Sequence, residues 1–451
     1  MGGVLQLHFG KNKVLKFGDM WPANQLSALS MQTLAIDFGT TNTVFATAKN
    51  GVADIIALPG PEQTNTIRTA LAFQRTGRGE PMTEIGPWAI EMFLDNPENT
   101  RFLQSFKSFA ASASFSETQI FSRRLGFNQL LEMFLQHSFA RAGLSNIPKR
   151  IIMGRPVTFV GQNPNDALAM QRYGAALQAL GAQEVLYVHE PVAAAYFYAQ
   201  RLTTSSTVLV GDFGGGTSDF SLLQFEGEGR VTALGQSGVG IAGDTLDYRI
   251  IDNVVTPRLG KGGSYTSWGK TLPIPAHYFA SFARWNELSL MNRPAVLAEL
   301  RDFAKTSPEG DALEALVALI EGGEAYRLYQ SVSKAKAELS KNDVATFHFK
   351  GDGLLIEKTI ERGEFETWIA DDVARMLASA NDLLMRTGKT PGDVDRVFLT
   401  GGTSFVKAIR STFAAHFGAD KIETGDELIS IAKGLALIGA DENAQQWAVK
   451  V

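Results

Sequence analysis
The chain has 451 residues, more than one ordinary core accommodates, so its length predicts two or more compact units. With 45% hydrophobic and 20% charged residues, the composition excludes a wholly disordered, collagen-like or coiled-coil chain. A net charge of -5 gives no broad basic field for nucleic acid or an anionic membrane, and zero cysteines exclude disulfides, thiolate zinc sites, iron–sulfur clusters and a cysteine nucleophile.

Residues 1–30 scatter lysines through short apolar pieces and lack the continuous apolar stretch of a signal peptide, so they read as an N-terminal extension, with Met31 as an alternative start. No window of 18 apolar residues predicts a membrane span. No nucleic-acid or membrane partner is expected, and a reducing, cytoplasmic location fits the cysteine count.

The first strong signal is "LAIDFGTTNTVFATA" from Leu34, an apolar strand, then Asp37-Phe38-Gly39 with Thr40 and Thr41, then a second strand. Next comes "RIIMGRPV", a short strand over 150–157. "NPNDALAMQRYGAALQALGA" follows with helical spacing and a glycine stop. "EVLYVHEPVAAAYFYAQRL" reads as strand, break and helix, with Glu190 just before Pro191.

The opening pattern then recurs as "LVGDFGGGTSDFSLLQF" from Leu209, in which Asp212 stands where Asp37 stood. Glycines at such a tip remove Cβ atoms and let successive N–H groups converge, a concavity suited to phosphate oxygens. A glycine-rich turn with no ligand is the competing reading. One repeat at this separation suggests two related halves whose hairpins face one cleft, and strand–helix alternation makes both halves layered α/β lobes.

Over 245–344 the pattern is mostly helical, with a Gly/Ser/Pro-rich interruption in "LGKGGSYTSWGKTLPIP", and it reads as a peripheral helical subdomain. Beyond it lie a strand at 394–399, a Gly401-Gly402 turn and a helix with Val406, Ile409, Phe413 and Phe417 on its inner face. "ISIAKGLALIG" reads as an amphipathic helix returning to the first lobe. Two stretches mimic the end of a P-loop, "WGKT" and "TGKT", but Ser264 and Leu383 stand where its first glycine belongs. The histidines are dispersed and form no zinc pattern, and His189 reads as a packing residue.

Six motifs in order, "IDFGTTNT", "HEPVAAAY", "GDFGGGTSDFS", "GVGIAGDTLD", "AKAELS" and "VFLTGGTSFV", resemble the actin-like ATPases, and among them the nucleotide-binding domain of the DnaK-type (seventy-kilodalton) heat-shock family. The resemblance covers 31 to about 440. It implies an α/β, two-lobed actin-like ATPase (ribonuclease H-like) fold with a nucleotide cleft between the lobes. Lobe I is expected over 31–203, lobe II over 204–415 with the helical subdomain 245–344 inside it, and 416–451 as a segment returning to lobe I. Lacking the family's apolar linker and peptide-binding domain, the chain looks most like the short, YegD-like branch.

The same resemblance implies binding of ATP/ADP with Mg²⁺ and slow ATP hydrolysis. Asp37 and Asp212 would hold the Mg²⁺, largely through its waters; either alone could be a turn-capping aspartate. Gly39, Thr40 and Thr41 on one hairpin, and Gly214, Gly215, Gly216 and Thr217 on the other, would cradle the phosphates. Glu190 matches the glutamate that positions the attacking water, its alternative being a solvated first-turn carboxylate. Lys107 matches the catalytic lysine, its alternative being a snorkelling surface lysine. Gly243, Lys336, Ser340, Gly401, Gly402 and Thr403 would face the nucleotide, Lys336 and Ser340 from one side of a helix.

Three positions depart from the family pattern. Ala337 stands where an arginine stacks on adenine, Ser333 where a glutamate stands, and Phe405 where another arginine lies near the base; a phenylalanine can supply stacking instead. The expected function is that of a chaperone-like ATPase, monomeric, acting through a partner protein or co-chaperone. A nucleotide-sensing module with negligible turnover and a bacterial-actin-like filament former are the alternatives.

Overall fold
The structure is a computed structural model that describes residues 33–59, 65–77, 79–144, 147–160, 163–199, 204–226, 230–284, 287–322, 324–351, 354–423, 425 and 428–449. The predicted extension over 1–30 lies outside these residues. The fold is mixed α/β.

Two sheets of the same design carry it. In the first, the order is Val52–Ile55, Asn42–Lys49, Thr33–Phe38, Arg150–Arg155, Glu184–His189, with Ile67–Arg68 pairing off Asn42–Lys49. In the second it is Arg230–Val239, Ser218–Glu226, Ser206–Phe213, Arg396–Thr400, Ile422–Glu423. Each sheet joins its first three strands antiparallel and its last two parallel. The sequence repeat at Asp37 and Asp212 thus occupies equivalent ends of equivalent central strands.

Strand alternation decides which core each residue enters. Leu34, Ile36 and Phe38 point into a cluster with Phe134 and Tyr173, while Ala35 points the other way. In the second sheet Leu209 and Phe213 enter the large cluster that extends through the helical region, while Val208 and Val210 join Ala35. This shared central cluster also contains the helices Glu190–Ala199 and Ser430–Ala440. Its members are mostly small, among them Ala193, Ala194, Ala195, Ala432 and Ala436, so the backbones approach closely.

Helix Ser430–Ala440 is not amphipathic as predicted. It is buried on nearly every face, because it packs against the strands Thr33–Phe38, Asn42–Lys49 and Arg150–Arg155 and against helix Glu190–Ala199 at once. A Cβ at Gly434 would sit 1.7 Å from the Ala193 carbonyl oxygen. Gly434→Ala is therefore expected to destabilise by at least the upper end of the ~1–3 kcal/mol typical of overpacking, read as a lower urea midpoint. An unchanged midpoint would show that the two helices can separate freely.

Other local predictions meet small adjustments. The helix after the first parallel strand runs Asp166–Ala179, capped by Asn165, whose Oδ1 accepts from Leu168 N at 3.0 Å, and it stops before Gly181 at φ 90°. Strand Glu184–His189 runs directly into helix Glu190–Ala199 without the predicted break. The strand predicted at 394–399 is Arg396–Thr400, and the one predicted at 150–157 ends at Arg155. Val406, Ile409, Phe413 and Phe417 are all buried, and Phe413 stacks on Phe220 at 5.8 Å.

The interruption within 245–344 is itself structured. Ser264–Ser267 and Lys270–Pro273 form a hairpin whose turn holds Trp268 (φ 50°) and Gly269 (φ 73°), the first half of the P-loop mimic. The second mimic is a helix stop, with Thr387 capping Arg362–Arg386 and Gly388 at φ 68°. Among the described residues no helix is long and apolar enough to cross a membrane.

Candidate functional site
The tips of the two repeated hairpins touch. A Cβ at Gly215 would lie 2.2 Å from Thr41 Oγ1, and one at Gly216 would lie 2.6 Å from a Val160 methyl and 3.4 Å from Thr40 Oγ1. The Thr41 side chain of the other hairpin takes the Cβ space at Gly215, and the Val160 side chain takes it at Gly216. Each turn closes on itself, Gly39 N donating to Asn42 O at 3.0 Å and Gly214 N to Thr217 O at 3.0 Å. Above them opens a cavity of about 1300 Å³, lined by every residue predicted for the site.

The two aspartates end the central strands, Asp37 opposite Val44 and Asp212 opposite Asp219. Both are buried, and burial raises each carboxyl above the ordinary carboxylate range. Glu190 adds to both shifts, and Asp37 and Asp219 also push Asp212 upward. Carboxylates brought this close in a desolvated corner repel one another.

Lys107 lies among them. It sits on the 3-10 turn Phe106–Phe109, entered through Ser105 at φ 54°, a left-handed conformation uncommon for serine. It is not a snorkelling surface lysine: it is buried, and its Nζ donates to Glu190 Oε1 at 2.7 Å. Burial lowers the ammonium's pKa, but Glu190, Tyr173 and Asp37 more than reverse this, so Lys107 stays charged. Glu190, the first residue of its helix, is also buried, and a Cβ at Gly154 would come within 3.1 Å of its Cγ.

The residues expected to face the nucleoside are tied to the second hairpin. Gly401, at φ 82°, brings the chain so close to Asp212 that a Cβ would lie 2.3 Å from Phe213 O and 2.7 Å from Asp212 Oδ1. Thr403 Oγ1 donates to Gly214 O at 2.7 Å, and Gly243 N donates to the same oxygen at 3.2 Å. Lys336 Nζ donates to Gly243 O at 3.2 Å and pairs with Asp247 at 2.9 Å. Ser340 Oγ donates to Lys336 O at 3.0 Å. Gly402 lies in the same turn as Thr403 and lines the cavity.

Sequence reasoning missed three supports. Asp219 is fully buried, its Oδ1 accepting from Val157 N and Thr158 N at 3.0 and 3.1 Å, which ties the second hairpin to the segment following strand Arg150–Arg155. Burial, then Glu190, pushes its carboxyl up to about 7, opposed by hydrogen bonds from the Thr217 hydroxyl and Thr158 N–H. Arg172 collects the loop after Lys107, its Nη1 donating to the carbonyls of Phe109, Ala110 and Ser112 at 2.9, 2.9 and 3.1 Å. The hydroxyl of Tyr173 is buried without a hydrogen-bond partner in the same neighbourhood. Asp219 had a signal, a second aspartate in "GGGTSDF"; Arg172 and Tyr173 were two residues of an ordinary helical pattern. His189 is neutral at physiological pH, since burial and then Arg155 lower it to about 4.

This donor set suits a divalent cation held jointly with a ligand. Among the described residues no three His, Asp or Glu side chains converge to hold a metal unaided. The paired, repelling Asp37 and Asp212 match a Mg²⁺ that takes one or two carboxylates and fills its other positions with water and phosphate.

Residues 321–445 match the family model described as Hsp70 protein. The matched stretch holds helix Ala325–Lys341, with Lys336 and Ser340, and the Gly401–Thr403 turn, all lining the cavity. Over those residues, well under half of the chain, the protein is similar to Hsp70 proteins.

Proposed function
We propose that the protein binds Mg·ATP between two lobes, 31–203 and 204–415 with the helical subdomain 245–344, and hydrolyses it slowly. The 416–451 segment would return to lobe I, and nucleotide state would set lobe closure and the binding of a partner protein or co-chaperone. The observation that carries this reading is the contact between two glycine hairpins, each beside a buried aspartate.

Asp37 and Asp212 would hold the Mg²⁺, which would supply neutralisation of the phosphate charge. The backbone N–H groups and hydroxyls of Gly39–Thr41 and Gly214–Thr217 hold phosphate oxygens. Both carboxylates would face the cation largely through its waters. Lys107 places a fixed positive charge at the phosphate end, and Glu190, paired with it, accepts a hydrogen bond from the attacking water and aligns it. Burial of all four groups keeps these interactions strong, because little bulk water screens them.

Calorimetric titration of ATP and ADP with and without Mg²⁺, followed by phosphate release, tests the proposal. Binding is expected to require Mg²⁺ and to release protons near pH 6.5, since the raised carboxyls must ionise around the cation, and the apparent enthalpy will then vary with buffer. Asp212→Asn, near-isosteric, should weaken Mg²⁺-dependent turnover while leaving the fold intact. Wild-type hydrolysis by this variant would sink the metal assignment, and binding without phosphate release would favour a nucleotide-sensing module.

A further inference from the structure
The compartment behind Lys107 and Glu190 holds a group that the proposed chemistry leaves unused. The Tyr173 side chain is fully buried, and its hydroxyl has no hydrogen-bond partner. Three aromatic rings cage it: Tyr173 stacks on Phe127 at 5.9 Å and meets Phe38 and Phe159 edge-on at 6.0 and 5.9 Å. A phenylalanine would fill the same cage and leave no buried polar atom unpaired, so packing does not account for the hydroxyl.

The cage fastens that hydroxyl to the turn that carries Lys107. Phe38 also meets Phe106, the residue before Lys107, at 5.6 Å. Arg172, the residue before Tyr173, donates to the carbonyls of Phe109, Ala110 and Ser112, so helix Asp166–Ala179 and the turn Phe106–Phe109 form one block. Burial holds the Tyr173 phenol well above its ordinary range, and the charges of Lys107, Glu190 and, more weakly, Arg155 act on it across this block. It therefore keeps its proton and remains a donor.

Lys107 Nζ donates to Glu190 Oε1 at 2.7 Å. An arriving phosphate oxygen competes for the same ammonium, and as Lys107 turns toward it the buried Glu190 carboxylate loses its donor. We infer that Tyr173 is the positioning residue that then takes hold of Glu190, its hydroxyl donating to the carboxylate that Lys107 releases and keeping it aimed at the attacking water. This rests on the nucleotide reading above, in which Glu190 aligns that water.

Single-turnover phosphate release and urea unfolding of the wild type, Tyr173→Phe, Lys107→Ala and the double variant test it. Tyr173→Phe is expected to slow release about tenfold at saturating Mg·ATP, with the half-saturating ATP concentration unchanged and the urea midpoint no lower than in the wild type. Lost packing would not produce that split. Without nucleotide, Lys107→Ala should lower the urea midpoint further in the Tyr173→Phe background than in the wild type, because Glu190 then has neither donor. Equal midpoint losses in the two backgrounds overturn the inference, and so does an unchanged release rate in Tyr173→Phe; neither result touches nucleotide binding. Absence of phosphate release from the wild type overturns the hydrolysis reading instead, and the midpoint comparison alone then decides whether Tyr173 backs Glu190.

Discussion

Lys107→Ala is expected to slow phosphate release by ~10²-fold or more and to destabilise the protein by roughly 3–5 kcal/mol. Both effects come from one geometric fact. Lys107 is buried against Glu190 at 2.7 Å, and it lowers the cost of ionising Asp37, Asp212 and Asp219. Removing it strips the phosphate end of a fixed cation and leaves Glu190 buried without its partner. Glu190→Gln keeps the shape of the side chain and removes its charge, so it should also slow release by ~10²-fold, through loss of the water-aligning carboxylate. The double variant Lys107→Ala/Glu190→Gln should be more stable than Lys107→Ala alone, because no unpaired carboxylate remains at position 190. Single-turnover phosphate release and urea unfolding read the two effects separately. Unchanged turnover in both single variants would remove Lys107 and Glu190 from the chemistry and leave their ion pair a structural feature.

Asp219→Asn is expected to stabilise the ligand-free protein at pH 8 relative to pH 4, by on the order of 2–4 kcal/mol. The Asp219 carboxyl is raised in the fold from 3.8 to about 7, chiefly by burial and then by Glu190. Below about pH 4 it is protonated in both the folded and the unfolded chain, so it carries no electrostatic penalty. Between about pH 4 and 7 the unfolded chain ionises it while the folded chain keeps its proton, so the wild type loses stability as pH rises through that window. Above 7 both states are ionised and the penalty is complete. Asparagine retains an oxygen for the Val157 and Thr158 N–H groups and never ionises, so the difference between variant and wild type should grow from pH 4 to 7 and then level off. Urea midpoints at several pH values give the curve, and a difference that stays flat with pH would show that Asp219 is not held protonated. Asp37 and Asp212 are raised by the same causes, so Mg²⁺ with nucleotide should stabilise the wild type more at pH 8 than at pH 5.

The two hairpins were legible in the sequence because strand, tight turn and strand are decided within about fifteen residues. Apolar alternation sets the strands, and glycine at the tip leaves a bare backbone whatever surrounds it. Their repetition implied two equivalent sheets, and both sheets have one strand order. The inner face of Lys407–Phe417 was equally local, written in three- and four-residue spacing.

Burial and pairing were decided by distant parts of the chain. Lys107 sits on a short 3-10 turn with no periodicity to mark it, and only its position against Glu190 separates a buried, paired ammonium from a solvated one. "ISIAKGLALIG" has the composition of an amphipathic helix, yet the first sheet and helix Glu190–Ala199 close over it, so its small residues count as contact surface on nearly every side. Asp219 alternates like any strand residue until the Val157–Thr158 backbone arrives to donate to it. Local sequence controls backbone geometry through short-range sterics and hydrogen bonds. Desolvation and charge coupling instead depend on what packs against a group, and here that neighbour comes from tens to hundreds of residues away.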